Sequence, residues 1–291
     1  CRLNPRDPYK KVGVCGATID TIAARNFARN VASGSASHND HGRHILALFR
    51  GIVEGEISHF SLDDTRKLET VARSVGIEVE GKEILEVARA LCDELEKTFS
   101  SVSGEMPFTR RAPEATLDLW RKEGVVPRGA MLEIMEMMSR SHIGCDQDYK
   151  SLMKQISRTA LADGWGGSMV ATELSDIMFG TPSPVLADVN MGVLKEDHVN
   201  IIVHGHEPAM FEGIMAAVND EFYIKAAKEK GAAGINLVGM CCSGAEMMSR
   251  HGVPHAGNFS STEAVIVTGA VDAMVVDIQC IKQGLAEVAK C

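Results

Sequence analysis

Imidazole and thiol side chains follow three short hydrophobic runs in the second half of the sequence. They are His204, His206, Cys241, Cys242 and Cys280. Imidazole nitrogen and thiolate sulfur bind iron, nickel and zinc, and thiolates also hold iron–sulfur clusters. A single cysteine is more often a small buried apolar residue. Because the pattern recurs after three runs, the residues alone favour a metal site and buried structural residues about equally.

A second group of chemically active residues is the run SHNDHGRH, residues 37–44. His38, His41 and His44 recur at every third position, so on a helix each lies about 4.5 Å above the last, on one side. Histidine titrates near neutral pH, which suits a row of groups that pass protons. The same pattern also fits a polar helix face whose histidines make ordinary hydrogen bonds.

The loop GMCCSG, residues 239–244, is small and follows a predicted strand. It is not G-x-G-x-x-G, and it carries two thiols where close approach to phosphate needs glycine, so dinucleotide binding is disfavoured. Cys241 beside Cys242 is either a reactive thiol that can form a persulfide or disulfide, or a passive buried neighbour.

The elements that must position these residues begin with helices. Up to about residue 180 the hydrophobic residues recur with a helical period. One such stripe consists of Ile84, Val87, Ala88, Leu91 and Leu95. Similar patterns predict helices over residues 19–31, 131–138, 149–162 and 170–178. Cys92 falls inside the first stripe and is predicted to be a small buried apolar residue.

After the segment TPSP, residues 181–184, the pattern changes to short β-rich runs. These runs cover residues 199–203, 235–238, 265–267 and 274–278, with a helix-like stretch over 210–230. Strands that alternate with helices predict a parallel sheet with helices on both faces. The predicted fold class is α/β: an all-helical domain, residues 1–182, followed by a Rossmann-like doubly wound parallel-sheet domain, residues 183–291. Such sheets bind ligands beyond the carboxyl ends of their strands, where the histidines and cysteines lie.

The length, charge and cysteine content exclude several classes of protein. The chain has 291 residues, 45% of them hydrophobic, which is enough for two ordinary cores. A net charge of −9 argues against nucleic-acid binding. Eight cysteines are too few for a small disulfide scaffold, and no run is apolar enough for a membrane span or signal peptide, so we expect a cytoplasmic protein. The chain opens without methionine, and we expect an internal segment of a longer protein.

Several motifs together resemble one family. CRLNP, GVCGAT, SHNDHGRH, ADGWGG, VHGHEP, AAGINLVGMCCSG, RHGVPHAGNF and AVDAMVVDIQC resemble, in the same order, the catalytic subunit of anaerobic nickel–iron–sulfur carbon monoxide dehydrogenases, which have the hybrid-cluster protein superfamily fold. VHGHEP followed by GMCC and VDIQC is the most specific part. The resemblance implies reversible oxidation of carbon monoxide with water to carbon dioxide, two protons and two electrons.

The resemblance also implies roles for the metal-binding residues. His206 and Cys242 would bind the iron outside the cubane of a Ni-Fe-S cluster, and Cys280 would bind an iron within it. From spacing, His204 and Cys241 stay open as alternatives to their neighbours. The other ligands of this cluster are expected beyond the last residue of the chain.

Further roles follow from the same resemblance. Cys1 and Cys15 would hold part of an electron-transferring [4Fe-4S] cluster whose other ligands are expected before the chain begins. His38, His41 and His44 would form a ladder that moves protons to and from the active site. This segment alone is expected to be inactive.

The resemblance also implies binding partners, and two alternative functions remain open. The resemblance implies a ferredoxin-like electron acceptor and a homodimer, and it leaves open association with an acetyl-coenzyme A synthase. The first alternative is an enzyme of the hybrid-cluster or hydroxylamine-reductase type, against which VHGHEP and the histidine run argue. The second is a non-enzymatic metal-binding or redox-sensing module.

Overall fold

The computed structural model describes residues 3, 6 and 11–291, so Cys1 lies outside the described residues. The chain divides into two compact units, Cys1–Gly180 and Thr181–Cys291. Within the described ranges, no helix is long and apolar enough to cross a membrane.

The first unit is helical, as the hydrophobic period predicts. Its helices are α1 (Ile19–Val53), α2 (Thr65–Ser74), α3 (Ile84–Ser100), α4 (Glu114–Glu123), α5 (Ala130–Arg140), α6 (Tyr149–Ala162) and α7 (Ser168–Phe179). A 3₁₀ turn, Pro107–Arg111, precedes α4, and a π-helical turn, Asp163–Gly167, joins α6 to α7. The helix start at Ile19 follows from Thr18, whose hydroxyl accepts a hydrogen bond from the Thr21 backbone N–H at 3.3 Å.

The core of this unit is built from the predicted stripe on α3. Leu91 and Leu95 are completely buried there, together with Phe49 of α1 and Leu68 of α2. Cys92 is completely buried in the same cluster, and burial raises the pKa of its thiol to about 11. The prediction that Cys92 is a small core residue is confirmed.

A glycine contact holds the π-helical turn against α1. A Cβ atom added to Gly42 would lie 2.5 Å from the carbonyl oxygen of Gly167, so the two backbones can approach only without side chains. Asn39 completes the contact, because its Oδ1 accepts from the Gly167 N–H at 2.8 Å and its Nδ2 donates to the Ala162 carbonyl at 3.2 Å. The ADGWGG motif is thus fixed to the helix that carries His38, His41 and His44.

The second unit contains a parallel sheet. Its strands are β1 (Val199–Gly205), β2 (Ile235–Met240), β3 (His255–Gly257) and β4 (Ala273–Val276), and its helices are α8 (Pro208–Val218), α9 (Glu221–Glu229), α10 (Cys241–His251), α11 (Thr262–Val267) and α12 (Leu285–Val288). The strand order is β3-β2-β1-β4, and every neighbouring pair is parallel.

Apolar residues cover both faces of this sheet. Ile202 and Val238 belong to one buried cluster, which also contains Val265 of α11. Their neighbours in the strands, Val203 and Leu237, belong to a second cluster on the other face. Successive residues of a strand point to opposite faces, so the two clusters are the two faces of a doubly wound sheet. The predicted fold class is confirmed.

Two details of the strand prediction were wrong. Residues 265–267 are the end of α11 and not a strand, because a three-residue Val/Ile run has no period that separates strand from helix. β3 was not predicted, since its three residues, His255–Gly257, carry no β-branched side chain. The helix-like stretch 210–230 is divided between α8 and α9, and the Asp220 side chain caps α9 by accepting from the Phe222 N–H at 2.8 Å.

Two buried asparagines occupy the amino ends of the central strands. Asn200 is aligned with Asn236, and the Asn236 Nδ2 donates to the Asn200 Oδ1 at 2.7 Å. The Asn200 Nδ2 donates in turn to the carbonyls of Lys195 and Ala270, at 2.7 and 2.8 Å. Because buried amides need partners, this pairing specifies one alignment of β1 with β2.

Candidate functional site

The end of β1 places two histidines in different environments. His204 is paired with Met240 on one side and Val276 on the other, and it is completely buried. In the described part of the chain neither ring nitrogen of His204 has a partner at ordinary hydrogen-bond geometry. Burial lowers the pKa of His204, partly offset by the nearby backbone of Cys280. His206 lies beyond the strand and is half-buried, so its side chain is the more accessible of the two.

The end of β2 leads directly into α10, which begins with the two cysteines. Cys241 has a φ of 58° and forms an isolated bridge with Gly205, which brings the ends of β1 and β2 together. Cys241 is half-buried and packs against the apolar cluster that contains Ile202, whereas Cys242 is exposed on the first helical turn. Desolvation raises the pKa of both thiols, to about 11 for Cys241, and the charge of Cys280 adds to each rise.

The third cysteine, Cys280, follows β4 in a segment with left-handed backbone conformation. Gln279 and Cys280 have φ values of 63° and 55°, in the left-handed region, where each residue with a side chain costs roughly 1–2 kcal/mol. Such conformations persist where the surrounding structure enforces them, often at functional sites. Cys280 is exposed and within electrostatic reach of Cys241 and Cys242.

The three strand ends therefore share one edge of the sheet, as predicted. Among the described residues, no group of three His, Cys, Asp or Glu side chains is close enough to hold a single metal ion. The donor set at this edge nonetheless fits an iron–sulfur centre: an exposed thiol at the start of α10, another after β4, and a half-buried imidazole after β1. The chemistry of these residues fits a cluster whose atoms are shared among loops.

Two residues that link these loops were missed from the sequence. The Asp277 carboxylate accepts hydrogen bonds from the backbone of His206 and Glu207, and the buried Ser243 hydroxyl donates to it at 2.9 Å. One signal was available, since Asp277 directly follows β4 just as His206 follows β1. Nothing in the spacing revealed which groups its carboxylate contacts.

The predicted histidine row lies on α1, in three different environments. His38 is half-buried, His41 is buried and His44 is exposed. The Nε2 of His44 is 3.1 Å from the Arg43 guanidinium. The helix thus supplies the predicted spacing, but each imidazole is surrounded differently.

Asp163, the first residue of the π-helical turn, fixes the orientation of His38. Its Oδ1 is 2.8 Å from the His38 Nδ1 and accepts from the Ser168 hydroxyl, also at 2.8 Å. This hydrogen bond raises the pKa of His38, against the opposing effect of burial. Asp163 was also missed from the sequence, although it lies in the ADGWGG motif.

Replacing Asp163 with asparagine is expected to lower the pKa of His38, because the carboxylate that favours imidazolium is removed while burial remains. In the native protein the charged pair stabilises the fold below the ordinary pKa of 6.5, and this contribution is lost as pH rises through the raised pKa. The melting-temperature advantage of the native protein over Asp163→Asn should therefore be largest at acidic pH. Solvent screens the pair in part, since the His38 side chain is 41% exposed.

Histidine-labelled NMR titration measures the His38 pKa directly. The matched control is Asp40→Asn, which removes a carboxylate that pairs with Arg43 on the same helix and leaves His38 with its partner. An unchanged pKa of His38 in Asp163→Asn would contradict the assignment.

Cys15 precedes α1 and is half-buried. The nearby backbone N–H of Ala17 lowers the pKa of the Cys15 thiol most, desolvation opposes it, and the Arg25 guanidinium adds a smaller lowering. The backbone carbonyl of Cys15 accepts from the Gln147 Nε2 at 3.2 Å. A stabilised thiolate at this position suits a cluster ligand.

Comparison with known proteins places the chain in a family. The model of the Prismane/CO dehydrogenase family matches residues 1–291. Carbon monoxide dehydrogenase 1 of Methanosarcina mazei is 48% identical over 291 residues, which cover 100% of this chain and 46% of that protein. The carbon monoxide dehydrogenase/acetyl-CoA synthase subunit beta of Moorella thermoacetica is 42% identical over 294 residues, with 100% and 43% covered.

A solved structure agrees with this placement. The as-isolated, Ni-free carbon monoxide dehydrogenase from Thermococcus sp. AM4 superposes with a TM-score of 0.96 at 47% identity, over 100% of this chain and 46% of that one. The chain thus spans about half the length of the curated relatives it matches. The match over the whole sequence confirms the resemblance carried by the motifs, and the chain belongs to the Prismane/CO dehydrogenase family.

Proposed function

We propose that the protein oxidises carbon monoxide reversibly with water, giving carbon dioxide, two protons and two electrons at a Ni-Fe-S cluster. The observation that carries the proposal is the convergence of His206, Cys242 and Cys280 at one edge of the parallel sheet. Membership of the Prismane/CO dehydrogenase family and relatives named carbon monoxide dehydrogenase support it.

Burial supports the choice of ligands within each neighbouring pair. His206 lies beyond the end of β1, whereas His204 is completely buried between two strands. Cys242 is exposed, whereas Cys241 packs against the apolar layer of the sheet. Since a ligand must reach a cluster beyond the sheet edge, His206 and Cys242 are the members that would bind iron, together with Cys280.

The histidine row would handle the protons. When bound, the cluster would supply Lewis-acidic metal ions and accept the two electrons. Because Asp163 holds the Nδ1 of His38, Nε2 is the atom that would take up and release a proton. His41 and His44, at successive turns of α1, would pass it along the helix.

The electrons would leave through a [4Fe-4S] cluster held in part by Cys15 and Cys1, of which Cys1 lies outside the described residues. Arg25 beside Cys15 would favour the thiolate that such a ligand requires. A ferredoxin-like protein would accept the electrons, and the enzyme would work as a homodimer. Association with an acetyl-CoA synthase is proposed from the Moorella thermoacetica relative, which is named for both activities.

Carbon monoxide-dependent reduction of a viologen dye tests the function. The intact gene product, purified without oxygen and supplied with nickel, is expected to reduce the dye when carbon monoxide is present and not when it is absent. Iron-loaded protein that is inactive with carbon monoxide but reduces hydroxylamine would replace this proposal with the hybrid-cluster type. Loaded protein inactive with both substrates would indicate a metal-binding module.

A further inference from the structure

One carboxylate, that of Asp277, joins its own segment after β4 to the loop after β1 and to the first turn of α10. From these contacts we infer that Asp277 is a positioning residue, which holds the loops of His206, Cys242 and Cys280 at the spacing a common cluster requires. The inference rests on the proposed function for the identity of the ligands. The hydrogen bonds of Asp277 are made by protein groups and do not depend on the proposed function.

Both oxygens of Asp277 are engaged by protein groups. Oδ1 accepts from the backbone N–H groups of His206 and Ile278, each at 2.5 Å. Oδ2 accepts from the Glu207 N–H at 3.0 Å and from the Ser243 hydroxyl at 2.9 Å. Donors from β1's end, from α10 and from its own loop therefore share one carboxylate, and charge-assisted hydrogen bonds of this kind are the strong ones.

The backbone of Gly205 makes room for this carboxylate. Its φ is 143°, and a Cβ atom at this position would overlap the carboxylate of Asp277. The backbone N–H of Asp277 also donates to the carbonyl of His204 at 3.1 Å, which extends the pairing of β4 with β1 up to this point. The carboxylate therefore occupies the space that a side chain would otherwise fill.

Each contact lies next to a proposed ligand in the chain. Asp277 accepts from the backbone N–H of His206 itself, and from the hydroxyl of Ser243, the residue after Cys242. It also accepts from the Ile278 N–H, two residues before Cys280. Asparagine at 277 would have almost the same shape, but its NH₂ group would face donors where the carboxylate accepts. The replacement therefore breaks the hydrogen bonds to one of the two oxygens, and so weakens the link, without removing volume.

Asp272 provides a matched control at the opposite end of the same strands. Its Oδ2 accepts from the Asn200 N–H at 2.7 Å, and its own N–H donates to the Asn200 carbonyl at 3.1 Å. Asp272 and Asp277 thus both tie β4 to the backbone of β1 through a carboxylate. Asp272 does so at the amino end, away from the proposed ligands.

The test compares Asp277→Asn, Ser243→Ala and Asp272→Asn in the intact gene product, loaded anaerobically with iron and nickel. Asp277→Asn is expected to hold about tenfold less nickel, since loss of a residue that orients metal ligands costs about 10–100-fold in affinity or activity. Its electron paramagnetic resonance spectrum should lose the Ni-Fe-S signal and keep that of the [4Fe-4S] cluster, which shows that the protein is folded. Ser243→Ala should lose less nickel, and Asp272→Asn should match the native protein.

Hydrogen exchange read by mass spectrometry separates this inference from the proposed function. In metal-free protein, the amide of His206 or of Glu207, whichever faces the new NH₂ group, should exchange faster in Asp277→Asn than in Asp272→Asn. If the native protein forms no Ni-Fe-S centre, the proposed function fails. Amide exchange in the metal-free protein still tests whether Asp277 holds the segment after β1. Unchanged exchange in Asp277→Asn overturns the inference, and so does faster exchange with native nickel content and signal.

Discussion

Replacing His206 with alanine in the intact gene product is expected to reduce carbon monoxide-dependent dye reduction by more than about 100-fold, because loss of a group that merely orients a ligand already costs about 10–100-fold. His206 is the more exposed residue of the pair at the end of β1. Iron and nickel content should fall in parallel with activity.

Two further histidine replacements make the result specific. His198→Ala, at the amino end of β1, should keep native activity, since its ring pairs with Asp197 away from the cysteines. His204→Ala should lower thermal stability by creating a cavity in the sheet, with more activity left than in His206→Ala. The reverse order of activities, with His204→Ala the less active, would make His204 the ligand.

Cys242→Ala is expected to lose activity to a similar extent, with loss of the Ni-Fe-S signal. Cys241→Ala is expected to keep most of the bound iron, because Cys241 packs against the apolar layer of the sheet while Cys242 is exposed. Metal analysis and dye reduction on both variants measure the difference. Equal losses in the two variants would mean that Cys241 takes part in binding as well.

A mass measurement addresses the other hypothesis for Cys241. An unmodified Cys241 in protein prepared without oxygen would exclude the persulfide, and the residue would then be the passive neighbour. A mass increase of one sulfur atom at Cys241 would instead support the reactive thiol.

The sequence predicted the sheet edge well because strand ends are local features. A run such as VNIIV identifies a strand by its β-branched residues, and parallel strands bring the residues after them to one edge. The sequence alone therefore predicts that His206, Cys242 and Cys280 lie at the same edge of the sheet. The helix period likewise predicted Cys92 as a core residue.

The residues that organise the site could not be found in this way. Asp277 and Asp163 act through contacts with residues 71 and 125 positions away along the chain, and no periodic pattern reports such pairs. The prediction of short helices and strands failed for a related reason. β3 and α11 are too short for a period to appear, so their conformation is set by packing against the rest of the unit.

The hydrogen bond between Asn200 and Asn236 bears on the order of folding and metal binding. A shift of β1 by one residue would break the hydrogen bond between these two buried amides and turn every side chain of the strand to the other face. This hydrogen bond is made by protein atoms alone and lies at the edge of the sheet opposite the proposed ligands. We therefore expect metals to be inserted into a chain that has already folded, unlike small zinc domains, which fold only around their ion.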